Sequence, residues 1–156
     1  MKAMVILRRC RTAGEEIERI AEKIRQRIAA AGSMGSPLDG NRSGGGPSDK
    51  VGRLAVEIAD LKTAKERREF AKSAEIAAAV TLLDYVPIRE SKVLHAYWIE
   101  GKSTGEIARE KHYSGAYVRK TKRDGEMLLE MLDEGKVAAA LPRWYLEEYE
   151  EGRAGR

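Results

Sequence analysis

Between Glu15 and Ala31 the apolar positions Ile17, Ile20, Ile24 and Ile28 recur at intervals of three and four, with Glu and Arg between them. This spacing defines an amphipathic α-helix, because residues three and four apart share a face. A single isoleucine stripe cannot be buried by its own helix, so it needs a partner. The helix could extend back toward Leu7, although Thr12-Ala13-Gly14 weakens that part. A second stripe, Val51, Leu54, Ile58 and Leu61, starts after Ser48 or Asp49, either of which can cap a helix by accepting from its unpaired amides. The intervening Gly32-Ser33-Met34-Gly35-Ser36-Pro37 and Asn41-Arg42-Ser43-Gly44-Gly45-Gly46-Pro47 are too rich in Gly, Ser and Pro to hold a helix. Two amphipathic helices joined by such a loop predict an antiparallel hairpin over residues 1–86, with its loop at about 32–47. The second helix continues through Ala64 to Lys72 and into Ala74–Leu83. An unbroken helix from Asp49 to Val86 would be unusually long, so a bend or break is expected near Lys72 or Ser73.

Composition points the same way. Charged residues make up 35% of the 156 and aromatics only 6%, a balance that suits solvated helices better than packed sheets, so the expected class is all-α. The single cysteine, Cys10, excludes an intramolecular disulfide, and with only His95 and His112 beside it no zinc constellation can be assembled. No cofactor is implied. Met4-Val5-Ile6-Leu7 is too short an apolar run for a signal or a membrane span, so no membrane partner is expected and the reducing cytoplasm fits. The triple glycine could cradle phosphate only between a strand and a helix, and here a helix precedes it. Gly101-Lys102-Ser103 looks like the end of a Walker A loop, but that motif needs glycine where Ala96 stands. Carboxylate pairs such as Glu15-Glu16 and Glu147-Glu148 sit in charged surroundings that favour plain solvation, and an enzyme is not expected.

The charge is unevenly spread. The net value is +4, yet residues 88–123 hold 9 basic and 4 acidic groups whereas residues 124–156 hold 4 basic and 9 acidic. A basic segment of this kind is either a solvated helix face or a nucleic-acid contact surface. Its local pattern favours the second. Pro87 fits a first helical turn, and a helix from Ile88 to Glu100 places Leu94, Tyr97 and Trp98 on one side before Gly101 stops it. Ser103-Thr104-Gly105-Glu106 is a capping box, opening a short helix to Lys111 with Ile107 and Ala108 inward. His112-Tyr113 makes the turn, and Ser114 caps a third helix running to about Leu132. On that helix Val118, Thr121, Gly125, Leu128 and Leu132 fall on one face, with Ala116, Arg119, Lys120 and Arg123 broadly opposite.

A short helix, a turn and a basic helix in that order form a helix-turn-helix domain over residues 87–134. Its candidate base-reading residues are Ala116, Tyr117, Arg119, Lys120 and Arg123, since the first turns of a recognition helix reach the base edges. Candidate phosphate contacts are Lys102, Ser103, Arg109, Lys111, Ser114 and Lys122. The expected partner is double-stranded DNA. A second copy of the chain, meeting through the N-terminal helices, is a further candidate.

Val93 to Ser103, Glu106-Ile107-Ala108, Tyr113-Ser114 and Val118-Arg119 resemble sigma factor region 4. The wider arrangement, with Ser48-Asp49-Lys50-Val51 after the loop, resembles phage-encoded sigma-region-4-like transcriptional regulators of the RinA-like and ArpU-like late-operon activator type. The resemblance spans about residues 14–132. It implies a transcription regulator of phage or prophage origin whose recognition helix carries Arg119 and Lys120. Gly115 and Ala116 stand where primary sigma factors usually offer longer polar side chains, and Tyr97 where the pattern tends to have Arg, which argues against housekeeping promoter recognition.

Two other functions compete. A phage small terminase subunit also joins a helix-turn-helix to oligomerising helices, though usually with the DNA-binding module first. The other is a protein that binds RNA polymerase without touching DNA. It draws on the tail at 135–156, where Val137–Leu141 and Pro142-Arg143-Trp144-Tyr145-Leu146 precede the acidic Glu147-Glu148-Tyr149-Glu150-Glu151. That tail is either a short docking helix or a segment whose Trp144 and Leu146 pack back on the body.

Overall fold

The computed structural model describes residues 1–33 and 47–155, which form seven α-helices and no strand. Helix α1 (Ala3–Ser33) and α2 (Pro47–Leu83) are long and antiparallel, followed by α3 (Ile88–Leu94), α4 (Thr104–Lys111), α5 (Gly115–Glu130), α6 (Glu134–Ala139) and α7 (Arg143–Ala154). One π-helical turn, His95–Ile99, continues directly from α3. Most of the Gly/Ser-rich segment expected as a loop, residues 34–46, lies outside the described residues.

Five points differ from the sequence expectation. Helix α1 starts at Ala3, because Ala3, Met4, Ile6 and Leu7 are buried and their packing outweighs the weak propensity of Thr12-Ala13-Gly14. It also runs through Gly32 and Ser33. Pro47 opens α2, so Ser48 and Asp49 lie inside its first turn rather than at the cap, and proline is well suited there because its missing N–H would be unpaired anyway. Helix α2 then continues without interruption for 37 residues, and the break expected near Lys72 or Ser73 is absent. Buried Glu75, Ala78, Ala79 and Leu82 give that stretch a continuous inward face. Finally, Pro87 is the residue capping α3 rather than its first turn.

The chain divides into two compact units, one of Met1–Ala13 with Phe70–Arg156 and one of Gly14–Glu69. In the Gly14–Glu69 unit only Ile24 and Leu54 of the two stripes are fully buried, and Ile17, Ile20, Ile58 and Leu61 are half-buried. The ion pairs Arg27–Glu57, at 3.1 Å, and Arg68–Glu16 set the antiparallel register.

The larger unit holds the main core, built from Ile6, Leu7, Leu82, Leu94, Leu129, Val137 and Tyr145 among others. Within this core lies one carboxylate, Glu75, with no exposed surface. Arg9 Nε donates to it at 2.8 Å and the Tyr145 hydroxyl at 2.7 Å, so α1, α2 and α7 meet at one buried charge. The tail therefore packs on the body. Tyr145 is buried, Trp144 and Leu146 rest against the core, and the Trp144 ring stacks on Phe70 with centroids 4.7 Å apart.

Helices α3 and α5 approach closely at Gly125, where a Cβ would come within 2.7 Å of Leu94 Cδ1 and 3.1 Å of Glu90 Cβ. Leu94 is fully buried and has little room to move. Gly125→Ala should therefore lower stability by about 1–2 kcal/mol despite alanine's better helix propensity, because overpacking outweighs it. Tyr145→Phe removes one donor from the buried Glu75 carboxylate and should cost about 1–3 kcal/mol. Urea denaturation of each variant checks both, and a midpoint equal to the parent's would contradict the packing described.

Candidate nucleic-acid interface

The segment from α3 to α5 has a small core of its own, made by Val93, Ala96, Ile107, Ala108 and Val118 with Tyr97 against it. Its ends are set by local hydrogen bonds. Ser103 Oγ accepts from the Glu106 amide at 3.1 Å while the Glu106 carboxylate accepts from the Ser103 amide at 2.8 Å, the reciprocal pairing expected from the sequence. Helix α4 ends at His112, whose φ of 56° and ψ of 40° place it in the left-handed region. The Tyr113 amide returns to the Ala108 carbonyl at 2.9 Å. Ser114 then caps α5, its Oγ accepting from the Tyr117 amide at 3.1 Å.

On α5 the buried residues are Val118, Thr121, Gly125 and Leu129. Leu128, expected inward, is exposed, and Leu129 takes its place because α5 turns its last inward contact toward the main core, where Leu129 packs. Leu132 lies beyond the helix end and is half-buried. Ala116, Arg119, Lys120 and Arg123 are exposed, Tyr117 is half-buried, and its ring lies 4.8 Å from that of Tyr113. Arg119, Lys120 and Arg123 have no ion-pair partner among the described residues. The Arg119 guanidinium reaches back over Gly115, where a Cβ would lie 3.2 Å from Nη1.

The residues named for phosphate contact divide into two groups. Ser103, Arg109 and Ser114 are exposed and Lys111 is half-buried. Lys102 and Lys122 are already engaged. Lys102 Nζ sits 2.8 Å from Glu110 and 3.1 Å from Glu100, and these carboxylates hold its ammonium above the usual lysine range. Lys122 Nζ pairs with Glu126 at 2.7 Å and lies over the Tyr97 and Trp98 rings. Glu126, one turn along α5, was readable in the sequence as a partner for Lys122, whereas Glu110 lies eight residues from Lys102 and meets it only in the fold.

The π-helical turn was not legible in the sequence. The Glu100 amide reaches back to the His95 carbonyl at 3.1 Å, which widens the backbone where a straight helix to Glu100 was expected. Gly101, at φ +74°, then turns the chain into Ser103. Arg11 supports this region, donating to the Tyr97 carbonyl and, at 3.3 Å, to the Lys102 carbonyl while lying over the Tyr97 ring. Trp98 Nε1 donates to Glu126 at 3.0 Å and ties the turn to α5.

No family model, curated protein or solved structure matches this chain.

The Ser103 amide, and next its hydroxyl, hold the Glu106 carboxyl below its ordinary value. A depressed folded value means that protons favour the unfolded chain. The contribution is thus complete above the ordinary carboxylate range and is lost as pH falls through the lowered value. Glu106→Gln retains an acceptor for the capping box but cannot titrate. Its melting temperature should fall less steeply than the parent's on acidification below about pH 4.5. Parallel slopes would remove Glu106 from the pH response.

Proposed function

We propose that this chain is a sequence-specific DNA-binding transcriptional regulator that reads the major groove of double-stranded DNA with α5, starting at Ser114. It acts by binding rather than by catalysis. The observation that carries the reading is the unpaired basic face of α5. Arg119, Lys120 and Arg123 project from a capped helix whose opposite face is buried through Val118, Thr121, Gly125 and Leu129. Leaving three cations exposed and without carboxylate partners suits a surface that meets an anionic ligand. Guanidinium and ammonium groups near the start of such a helix can donate to guanine O6 and N7.

Tyr117 and Ala116 lie on the same leading turns and complete the base-facing set. Ser103, Arg109, Lys111 and Ser114 serve the phosphates. Lys102 and Lys122 would have to leave their carboxylate partners to join them, so they contribute less than the unpaired residues. Assignment to phage or prophage regulators of the sigma-region-4-like type rests on the sequence resemblance, and a cytoplasmic site of action follows from the role.

A protein that meets RNA polymerase without touching DNA is the second reading. It is favoured by Met127, Leu128 and Met131, which are exposed at the far end of α5.

Selection of bound sequences from a random duplex pool tests the proposal. A defined motif should emerge, and affinity for it should fall as salt rises because neutralised phosphates release counterions. Arg119→Ala and Lys120→Ala should each weaken binding by about 1–3 kcal/mol and relax the preference at one or two positions. No enrichment from the pool would move the assignment to the polymerase-binding reading. Parent-like affinity in both variants would remove α5 as the reading element.

A further inference from the structure

We propose that the duplex read by α5 presents guanines to Arg119, Lys120 and Arg123 and a thymine methyl to Ala116, and that adenine and cytosine are not read directly. This rests on the reading of α5 as the groove-facing helix and adds the chemical class of its target.

Each base edge in the major groove requires a different partner. Guanine offers two acceptors, O6 and N7. The amino groups of adenine and cytosine must instead be met by an acceptor, which Asn or Gln supplies to adenine and Asp or Glu to cytosine. Arg and Lys only donate. The chain contains one Asn and one Gln, Asn41 and Gln26, both outside residues 87–134. Among the described residues from His112 to Leu128, no exposed side chain is a carboxylate. Asp124 is half-buried on a flank of α5, and Glu126 already holds Lys122 at 2.7 Å and the Trp98 indole at 3.0 Å. On α4, Glu106 is bound to the Ser103 amide and Glu110 to Lys102. Ser114 Oγ is taken up by the Tyr117 amide. The tyrosine hydroxyls can donate or accept at a single point, so they do not choose between bases.

The donors are also well placed. At about 100° per residue, Ala116, Lys120 and Arg123 form one outward row, opposite the buried row of Val118, Thr121, Gly125 and Leu129. Arg119 stands beside that row, and its guanidinium lies back over Gly115, where a Cβ would come within 3.2 Å of Nη1. The missing side chain at Gly115 thus leaves room for a two-point guanine reader at the leading end of the helix. Ala116 is exposed next to it, and a small apolar group in that position suits the thymine C5-methyl.

Base analogues in the duplex selected by the parent protein test this. The selected site should hold G·C pairs at two or more positions with an adjoining thymine. Replacing those guanines by 7-deazaguanine, which lacks N7, should weaken binding about fivefold or more for each base. Inosine keeps O6 and N7 and lacks only the minor-groove amino group, so it should bind like guanine. Uracil in place of the adjoining thymine should cost about fourfold, the worth of one buried methyl. Lys120→Gln should change the selected base at one position from guanine to adenine, and Ala116→Gln should change the thymine to adenine. Both sites are exposed, so circular dichroism should be unchanged. A site specified only by A·T pairs, or guanines whose 7-deaza replacement costs nothing, overturns the proposal while DNA recognition stands. An unchanged motif in both Gln variants overturns the assignment of these bases to Lys120 and Ala116. Failure of the pool to yield any motif overturns the proposal together with the reading beneath it.

Discussion

The larger unit is organised around one buried carboxylate. Glu75 has no exposed surface, and a bare charge in that position would be prohibitively costly. Arg9 from α1 and the Tyr145 hydroxyl from α7 meet that demand, so three segments distant in sequence are required at one point. Arg9 also lies over the Tyr145 and Tyr149 rings, which adds attraction between α1 and α7 without further buried charge. The chain's first and last helices are thereby joined, and the apolar residues around Glu75 complete the enclosure. Its demand for donors ties the tail to the body through Tyr145, while the burial of Ala3, Met4, Ile6 and Leu7 sets the early start of α1.

A second constraint acts through α3 and α5. Gly125 lets Leu94 and Glu90 come close, which fixes where α5 lies across α3. The π-helical turn at His95–Ile99 then supplies an extra residue's worth of backbone, and it carries Tyr97 and Trp98, both of which Lys122 overlies. Trp98 holds Glu126 on α5, while Tyr97 is met by Arg11 from α1 and Lys122 from α5. The basic face of α5 is held from behind by these contacts, none of which uses Arg119, Lys120 or Arg123. The side chains left over from packing are those available to an anionic partner.

The capping box, the turn and the second cap of the candidate interface were readable in order because they depend on near neighbours. Ser103 with Glu106, the turn at His112 and the cap at Ser114 involve residues within a few positions of each other, so spacing determines them. The same holds for the alternation of stripe and charge in α1 and α2. Leu128 and Leu129 show where the reading ends. An ideal helical advance favours the former, but the main core lies nearer the latter, and no local rule contains the position of that core. The uninterrupted course of α2 is of the same kind, since Ala74 to Leu83 gains its support from residues far away in sequence.

The sequence by itself determined an all-helical chain, its two long amphipathic segments and the capped order of α4 and α5, because hydrogen bonds and side-chain spacing within a few residues carry that information. Tertiary structure decided which of the cations remain available. Lys122 meets Glu126 one turn along α5, a pairing that spacing already allows, but Lys102 meets Glu110, eight residues on, only in the folded chain, and Arg119 and Lys120 are left exposed. It also decided that α1 and α7 close over Glu75, because a buried charge is satisfied only by donors brought together in space, whatever their separation along the chain.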